Sequence, residues 1–423
     1  MKLALHWQVL LAILLAGIIG STLSADSTLL GVNLVSVFTF FGDMFLNALK
    51  MLTVPLILAS IISGISGLTA NDSLARLGIK TLSLYMISGL IAILVGLFCV
   101  NLLTPGLIDG QAAGPALNLV LNNDNSAQLQ QIQNNHAASG ISDIFLKMFP
   151  PNIIQAAANG QMLGLIVFAV MFGLFMLKIE PQAQTTLRNF WQGIAAVMIE
   201  MTMFIMKFSP IGVFALVAKT VAITGFAGMQ PLAVFFFTVL LALAIHTFIV
   251  LALALKYVGK VNPIKHYKAM MPVMLTAFST ASSSATLPIT MEMVEEKSGV
   301  SNKIASFVLP LGATVNMNGS ALYECVAAIF IAQAYGLDLS LAQQFLIVVI
   351  ALLTSIGVAG IPAASLVAIA VILTAVGLPL EGIGLLLVTD RILDMLRTAV
   401  NVFSDTCCAV IVARSEGEQT HLL

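Results

Sequence analysis

Charged residues are scarce in this sequence. Asp, Glu, Lys and Arg make up 9% of its 423 residues, whereas 59% are hydrophobic. Soluble domains contain about 25% charged residues, and a soluble fold could not bury this many apolar side chains. The composition therefore favours an integral membrane protein. The net charge of −1 gives no indication of a nucleic-acid partner.

Cysteine is rare as well. The four cysteines lie in apolar runs and form neither a CxxC motif nor a zinc-binding spacing, so we expect free, packed thiols. None of the five histidines has an obvious pairing with the serine cluster at 282–284. Because a serine nucleophile needs a base, an intramembrane serine hydrolase is disfavoured, although a lysine base is formally compatible with the sequence.

Long apolar runs are abundant instead. We predict membrane-spanning helices near residues 8–24, 37–68, 79–104, 152–178, 190–218 and 230–256. The first run could be a signal peptide, but the many apolar runs after it favour a helix. The polar loop at about 105–150 contains only Lys147, whereas most Lys and Arg residues fall on the opposite side of the membrane. The positive-inside rule therefore places both termini in the cytoplasm.

Two later segments have apolar ends and a small, polar centre. Residues 262–296 contain TAFSTASSSATLP, and residues 340–377 contain TSIGVAGIPAAS. Such backbone is tolerated at membrane depth only inside protein or beside a wet cavity, so we predict two re-entrant helical hairpins. Each precedes a long helix with polar groups at its middle, at 302–336 and 381–413. Hairpin plus helix, twice and in opposite orientations, is an inverted repeat typical of secondary transporters.

The last of these helices contains the stretch DRILDMLRTAVNVFSD. At about 100° per residue, five polar side chains fall within an arc of about 80°: Asp390, Asp394, Arg397, Asn401 and Asp405. The opposite face is apolar and is expected to direct the charges away from lipid: Ile392, Leu393, Leu396, Val400 and Phe403. The charges could simply pair with one another, but each costs at least about 2.5–3.5 kcal/mol at membrane depth and usually marks a pathway or site.

The chemistry of this face suggests a ligand. Arg397 offers a planar fork for a carboxylate, and Asp394 can take an ammonium group. Asn401 and Asp405 supply hard oxygens that suit sodium. A molecule with a spare carboxylate and an ammonium group is an acidic amino acid.

The preceding long helix contains NMNGSALYE, with a glycine inside an apolar run. Local unwinding there would free carbonyls for a cation, and a merely kinked helix is the alternative. The TASSSATLP motif is either a serine-lined helix contact or a ligand-facing hairpin tip.

The sequence resembles the dicarboxylate/amino acid:cation symporters, which include the excitatory amino acid transporters. The resemblance covers essentially the whole chain and is densest in SSSATLP, LGATVNMNGSALYECVAAIFIAQ, SIGVAGIP and DRILDMLRTAVN. It implies an all-α polytopic membrane protein with eight transmembrane helices and two re-entrant hairpins. It also implies a homotrimer of elevator-type transporters in the plasma membrane, with a bacterial inner membrane as the expected location.

The resemblance also divides the chain. Residues 1–78 (helices 1 and 2) and 151–222 (helices 4 and 5) would form the scaffold. Residues 79–104 (helix 3) and 223–423 (helix 6, the hairpins, helices 7 and 8) would form the transport domain. Residues 105–150 would be an extracytoplasmic loop.

The resemblance assigns functional residues by motif. Substrate contacts would be Ser283, Met317, Ser320, Gly360, Ile361, Asp394, Arg397, Thr398 and Asn401. One sodium site would use Gly312, Asn316, Asn401 and Asp405, and a second would use carbonyls of Thr314, Ser355, Ile356 and Val358. Glu324 occupies the place of a protonatable carboxylate.

The sequence departs from the family pattern at a third cation site, which would involve Tyr85, Ser88 and Asn318. The family often has aspartate where Asn318 stands and a hydroxyl where Gly89 stands, so altered or reduced cation coupling is expected. A supporting arginine is absent from both Ala281 and Met395, and Arg391 is a candidate substitute.

The leading hypothesis is a symporter that imports glutamate or aspartate with sodium, and with a proton as a further coupled ion. A C4-dicarboxylate symporter is the alternative within transport, and Asp394 argues against it. An ion channel is the alternative of another class, because buried charges and broken helices occur there too.

Overall fold

A computed structural model describes residues 5–422 except 25–26, 30, 67–71, 118, 120–145, 147, 159–161, 225–228 and 356–363. The described part is predominantly helical and has two small antiparallel strand pairs. The strands are β1 (Thr28–Leu29), β2 (Val32–Asn33), β3 (Leu107–Ile108) and β4 (Gln111–Ala112), paired β1–β2 and β3–β4. The first seven helices are α1 (Leu5–Thr22), α2 (Leu34–Ser66), α3 (Asp72–Leu103), α4 (Ile153–Ala158), α5 (Met162–Met176), α6 (Pro181–Met206) and α7 (Ser209–Thr224).

The second half of the chain carries the segments of interest. Its helices are α8 (Met229–Ile245), α9 (Pro263–Thr280), α10 (Ser283–Glu296), α11 (Asn302–Val315), α12 (Asn318–Ala334), α13 (Leu341–Thr354), α14 (Ala364–Val376) and α15 (Ile383–Ser415). Two π-helical stretches, His246–Leu251 and Ala254–Val258, continue α8, and a 3₁₀ turn, Leu380–Gly382, precedes α15.

Four helices of the described chain are long and apolar enough to cross a membrane: Arg76–Leu103, Gln230–Val258, Asn302–Ala334 and Ile383–Ser415. A fifth is obtained if α6 and α7, which meet at a bend of 55°, count as one span. The predicted apolar run at 190–218 includes this bend, because α6 ends at Met206 and α7 begins at Ser209. The predicted free, packed cysteines are confirmed, since all four are buried thiols.

Both predicted hairpin segments form a pair of helices in contact with each other. In the first pair, α9 ends at Thr280 and is followed by Ala281, whose φ of 49° lies in the left-handed region. Ser282 then caps α10, because its hydroxyl accepts a hydrogen bond from the Ala285 amide at 3.2 Å. In the second pair, α13 begins with a Ser340–Gln343 capping box. Its connection to α14, residues 356–363, lies outside the described residues.

Two groups of helices can be distinguished by their packing. Helix α2 contacts α5, α6 and α7, and α1 packs along α7. Helix α15 contacts α8, α9, α10, α11 and α12, and α3 packs on α8 and α12. Contacts of α15 with α7 and of α14 with α2 join the two groups. Helix α15 is thus enclosed by protein along most of its length.

That enclosure extends to the apolar face of α15. Ile392 is exposed, as an outward-facing residue should be, but Leu393 and Phe403 on the same apolar face are fully buried. The apolar face of α15 packs against neighbouring helices rather than against lipid. The periodicity separated polar from apolar faces correctly but could not tell lipid from protein, because both are apolar surroundings.

The C-terminal tail, residues 416–422, packs against the start of α3 and against the connection between α10 and α11. Glu416 forms ion pairs with Arg76 and Lys80 at the start of α3. The Glu418 carboxylate accepts hydrogen bonds from the Ser301 amide at 3.0 Å and from its hydroxyl at 2.5 Å. The His421 amide donates to the Ser298 carbonyl at 3.0 Å. The tail therefore ties the ends of several helices of the α15 group together.

Candidate substrate and cation site

A fully buried guanidinium group lies at the middle of α15. Arg397 has no exposed surface, and its two terminal nitrogens lie 3.0 Å from Asp390 Oδ1 and 3.0 Å from Asp394 Oδ1. Its Cζ lies 3.7 Å from the centre of the Tyr323 ring, in cation–π geometry. Arg391 Nη1 lies 3.5 Å from Asp394 Oδ2. Two cations and two carboxylates thus compensate one another where single charges would be costly.

Asp390, Asp394 and Arg397 are spaced by four and three residues, so a helix brings them to one face. All are buried, as the sequence predicted for this face. Thr398 is buried too, and its hydroxyl donates to the Asp394 carbonyl at 2.8 Å.

The backbone breaks between α11 and α12. Asn316 (φ −104°, ψ 67°) and Met317 (φ −96°, ψ 56°) leave the helical region, which confirms that this helix is interrupted. The break falls before the glycine rather than on it. A Cβ at Gly319 would lie 2.7 Å from the Arg397 carbonyl oxygen, so glycine is needed here for close approach of α15.

Asn401 joins α15 to the start of α12. Its Oδ1 accepts hydrogen bonds from the Gly319 amide at 2.7 Å and the Ser320 amide at 3.3 Å, which the helix start leaves without helical partners. Its Nδ2 donates to Ser320 Oγ at 3.1 Å and to Met317 Sδ at 3.6 Å. The structure therefore brings together three predicted substrate residues, Met317, Ser320 and Asn401, one turn from Arg397.

Ser283, another predicted substrate residue, is buried in the first turn of α10. Helix α10 packs against α15, and helix starts favour negatively charged ligands. Gly360 and Ile361, predicted from the second hairpin, lie outside the described residues.

Three of the four residues predicted for the first sodium site meet around a carboxylate. Asn316 Nδ2 donates to Asp405 Oδ1 at 2.8 Å. A Cβ at Gly312 would lie 2.5 Å from the same oxygen, so Gly312 provides the space for it. Asn316 Oδ1 is buried without a hydrogen-bond partner among the described residues. A carboxylate beside an unpaired amide oxygen is a donor set that suits a hard cation. Asn401 lies one turn earlier on α15.

The second predicted sodium site is only partly described. Ser355 is buried at the end of α13, and its hydroxyl donates to the Leu352 carbonyl at 2.7 Å. Thr314 is exposed at the end of α11. Ile356 and Val358 lie outside the described residues.

The residues predicted for the altered third site lie on α3 and α12. Asn318 Nδ2 donates to Ser88 Oγ at 2.5 Å and to Ser404 Oγ at 2.6 Å. The Tyr85 hydroxyl donates to the Val308 carbonyl at 2.8 Å. The position of Ser404, on the polar face of α15, was not assigned from the sequence.

Glu324 is fully buried on α12, directly after the tyrosine that stacks on Arg397. Its Oε2 accepts a hydrogen bond from the Thr354 hydroxyl at 3.1 Å, which links α12 to α13. Its Oε1 is buried without a hydrogen-bond partner among the described residues.

Sequence reasoning missed three contributors to the site: Asp390 as a direct partner of Arg397, Tyr323 and Ser404. Periodicity placed Asp390 on the polar face but did not identify Arg397 as its partner, and it could have included Ser404, which lies on the same face. Tyr323 gave no such signal, because an aromatic residue in an apolar helix is usually a core residue.

Comparison with known proteins places this arrangement in a family. Residues 5–415 match the model of the sodium:dicarboxylate symporter family. The chain is 35% identical to a proton/glutamate-aspartate symporter of Escherichia coli (strain K12), over 98% of this chain and 93% of that protein. It is 35% identical to a proton/sodium-glutamate symport protein of Bacillus caldotenax (99% and 96%) and 32% identical to excitatory amino acid transporter 3 of Mus musculus (97% and 85%). The chain therefore belongs to the sodium:dicarboxylate symporter family.

Proposed function

We propose that this protein is a secondary active symporter that imports glutamate or aspartate together with sodium ions and a proton. The observation that carries the proposal is the fully buried Arg397, held between two carboxylates beside the broken helix. A fixed positive charge at this depth selects an anionic ligand. The printed names of the relatives, glutamate-aspartate and sodium-glutamate symporters, support the substrate and the coupled ions.

The proposed substrate roles follow from the charges. Arg397 binds the side-chain carboxylate of the substrate, and Asp394 turns from Arg397 to the substrate ammonium group. Asp390 stays on Arg397 and keeps the fork oriented. Asn401, Ser320 and Met317 line the adjacent wall, and the start of α10 faces the α-carboxylate. Thr398 and Ser283 complete the contacts, with Gly360 and Ile361 supplied by the second hairpin.

The proposed cation roles rest on Asp405. Its carboxylate, Asn316 Oδ1 and the Gly312 and Asn401 positions form the first sodium site. Carbonyls of Thr314, Ser355, Ile356 and Val358 form a second. Glu324 carries the proton, because a buried carboxyl group is far less costly in its protonated, neutral form than as a carboxylate.

The proposed architecture is the family arrangement. Eight transmembrane helices and two re-entrant hairpins form a protomer, with both termini in the cytoplasm. The packing of α2 with α5–α7, and of α15 with α8–α12, supports a scaffold of 1–78 and 151–222 and a transport domain of 79–104 and 223–423. Three protomers assemble, and the transport domain moves as an elevator within each one.

The function is tested by uptake into liposomes that contain the purified protein. Radiolabelled aspartate is offered with an inward sodium gradient, a proton gradient or a membrane potential, each imposed alone. We expect concentrative uptake driven by sodium and enhanced by a proton gradient, with glutamate competing better than succinate. Flux that never exceeds equilibration would indicate a channel, and preference for succinate would indicate a C4-dicarboxylate carrier.

A matched pair of variants tests the role of Asp405 in the same assay. Asp405→Asn should lose sodium-driven uptake, since it removes the carboxylate from the proposed site. Asp43→Asn makes the same chemical change at an exposed position of α2 and should behave like wild type. Sodium-driven uptake by a folded Asp405→Asn protein at the wild-type level would contradict the assignment.

A further inference from the structure

The hydroxyl group of Ser404 lies between two side-chain amides. Asn316 Nδ2 donates to Ser404 Oγ at 3.2 Å, and Asn318 Nδ2 donates to it at 2.6 Å. Ser404 and both asparagines are buried. A hydroxyl oxygen has two lone pairs, and here each of them accepts an N–H. Ser404 therefore has no lone pair left with which to bind a cation.

The amide of Asn318 is equally committed. Its two N–H groups are directed to Ser404 Oγ and to Ser88 Oγ, at 2.6 Å and 2.5 Å. An amide nitrogen has hydrogen-bond donors and no acceptor, so it presents positive charge to both oxygens. Gly89 leaves room for this side chain, because a Cβ there would lie 3.3 Å from Asn318 Oδ1.

We propose that the Asn318 amide replaces a cation between α3, α12 and α15, and that Asn318 thereby sets the number of sodium ions coupled to each substrate. The nitrogen lies between two oxygens that would otherwise be cation ligands, and it supplies the positive charge that a cation would bring. Among the described residues of this cluster, Asp405 is the one carboxylate, and a single cation beside it completes the compensation. This inference rests on the proposed sodium symport and gives it a determinant of stoichiometry.

The substitution Asn318→Asp reverses the arrangement. A carboxylate has no N–H, so the lone pairs of Ser88 and Ser404 become available, and the added negative charge requires a counter-ion at this depth. We expect the purified variant to bind one more sodium ion per protomer than wild type, measured as ²²Na⁺ bound at saturation without substrate. In liposomes, the reversal potential for aspartate should correspond to one more sodium ion per substrate.

Two further variants control for charge and for ligand identity. Asn189→Asp introduces the same carboxylate at an exposed position of α6 and should bind the wild-type number of sodium ions. Adding Ser88→Ala to Asn318→Asp removes one of the freed oxygens and should weaken the additional sodium ion about tenfold or more. A folded Asn318→Asp protein with the wild-type number of sodium ions would overturn the inference.

If Asn318→Asp does not fold, Ser88→Ala in the otherwise unchanged chain decides the question. Its sodium count should equal that of wild type, because the Ser88 hydroxyl binds the amide and not an ion. Loss of a bound sodium ion in Ser88→Ala would contradict the inference. Ion counting without substrate is independent of uptake, so failure of this inference is distinguishable from failure of the symport function, which wild-type uptake tests by itself.

Discussion

Replacement of Arg397 by alanine should affect stability and substrate binding through different partners. The substitution leaves the buried Asp390 carboxylate without the guanidinium that lies 3.0 Å from it, whereas Asp394 keeps Arg391 at 3.5 Å. Removing one partner of a buried ion pair costs about 3–5 kcal/mol of folding free energy. Thermal unfolding in detergent should therefore show a clear loss of stability, with Asp390 as its main cause.

Substrate binding should fall for a separate reason. Truncating one side of a buried charge pair at an interface costs about 2–5 kcal/mol. At about 1.4 kcal/mol per factor of ten, the Kd for aspartate or glutamate should rise about 30-fold to several-thousandfold. Equilibrium binding of radiolabelled aspartate at saturating sodium measures this change directly.

A second substitution separates the two effects. In Arg397→Ala/Asp390→Asn the stranded charge is gone, so stability should recover in large part while substrate binding stays lost. Arg188→Ala is a matched control, because that guanidinium donates to the Ser66 carbonyl at 2.7 Å, on helices α2 and α6, and should alter stability without changing the aspartate Kd. Recovery of binding together with stability in the double variant would refute the assignment of Arg397 to the substrate carboxylate.

Three further outcomes are expected. Glu324→Gln should remove the proton-gradient dependence of uptake but keep sodium-dependent binding, as measured by pH jumps across liposomes. The Lys80 ammonium lowers the pKa of Glu416 from its usual 4.5, so the contact of the C-terminal tail with α3 should persist above that pH and be lost as pH falls through the lowered pKa. The amides of the tail should exchange faster below the lowered pKa of Glu416 than above it. In Glu416→Gln they should exchange fast both below and above that pKa. Gly319→Ala should destabilise the protein by about 1–3 kcal/mol in thermal unfolding, because its Cβ would lie 2.7 Å from Arg397 O and displace the hydrogen bonds beside it.

Hydropathy and periodicity predicted much of this fold, because both follow from local chemistry. The apolar runs coincide with helices, the small, polar centre of the first hairpin segment with the junction of α9 and α10, and the polar face of α15 with its buried charges. The bend at Lys207–Phe208 was not predicted, although Lys207, Ser209 and Pro210 interrupt the apolar run at that point. Pro210 lies in the first turn of α7 and lacks the N–H that a continuous helix would need, which favours a new helix start here.

The partners of the polar side chains were harder to predict than their positions. Helical spacing brings Asp390, Asp394 and Arg397 to one face, but it does not determine which carboxylate each nitrogen contacts. That choice depends on rotamers and on Tyr323, which arrives from another helix. The hydrogen-bond partners of Ser404 could not be predicted from the sequence, because its two amide donors, Asn316 and Asn318, are more than 80 residues away along the chain.

The break between α11 and α12 gives the proposed symport a physical basis for coupling. Asn316, on one side of the break, binds Asp405, and Gly319 and Ser320, on the other side, bind Asn401. Asp405 and Asn401 lie four residues apart on α15, so the cation group and the substrate wall are joined both by one helix and by one break. A cation coordinated by Asn316 Oδ1 orders the backbone at the break. The Gly319 and Ser320 amides, which donate to Asn401, follow directly after that backbone. The free energy of that ordering is then shared by both ligands, and since such coupling is reciprocal, bound substrate must tighten sodium as much as sodium tightens substrate.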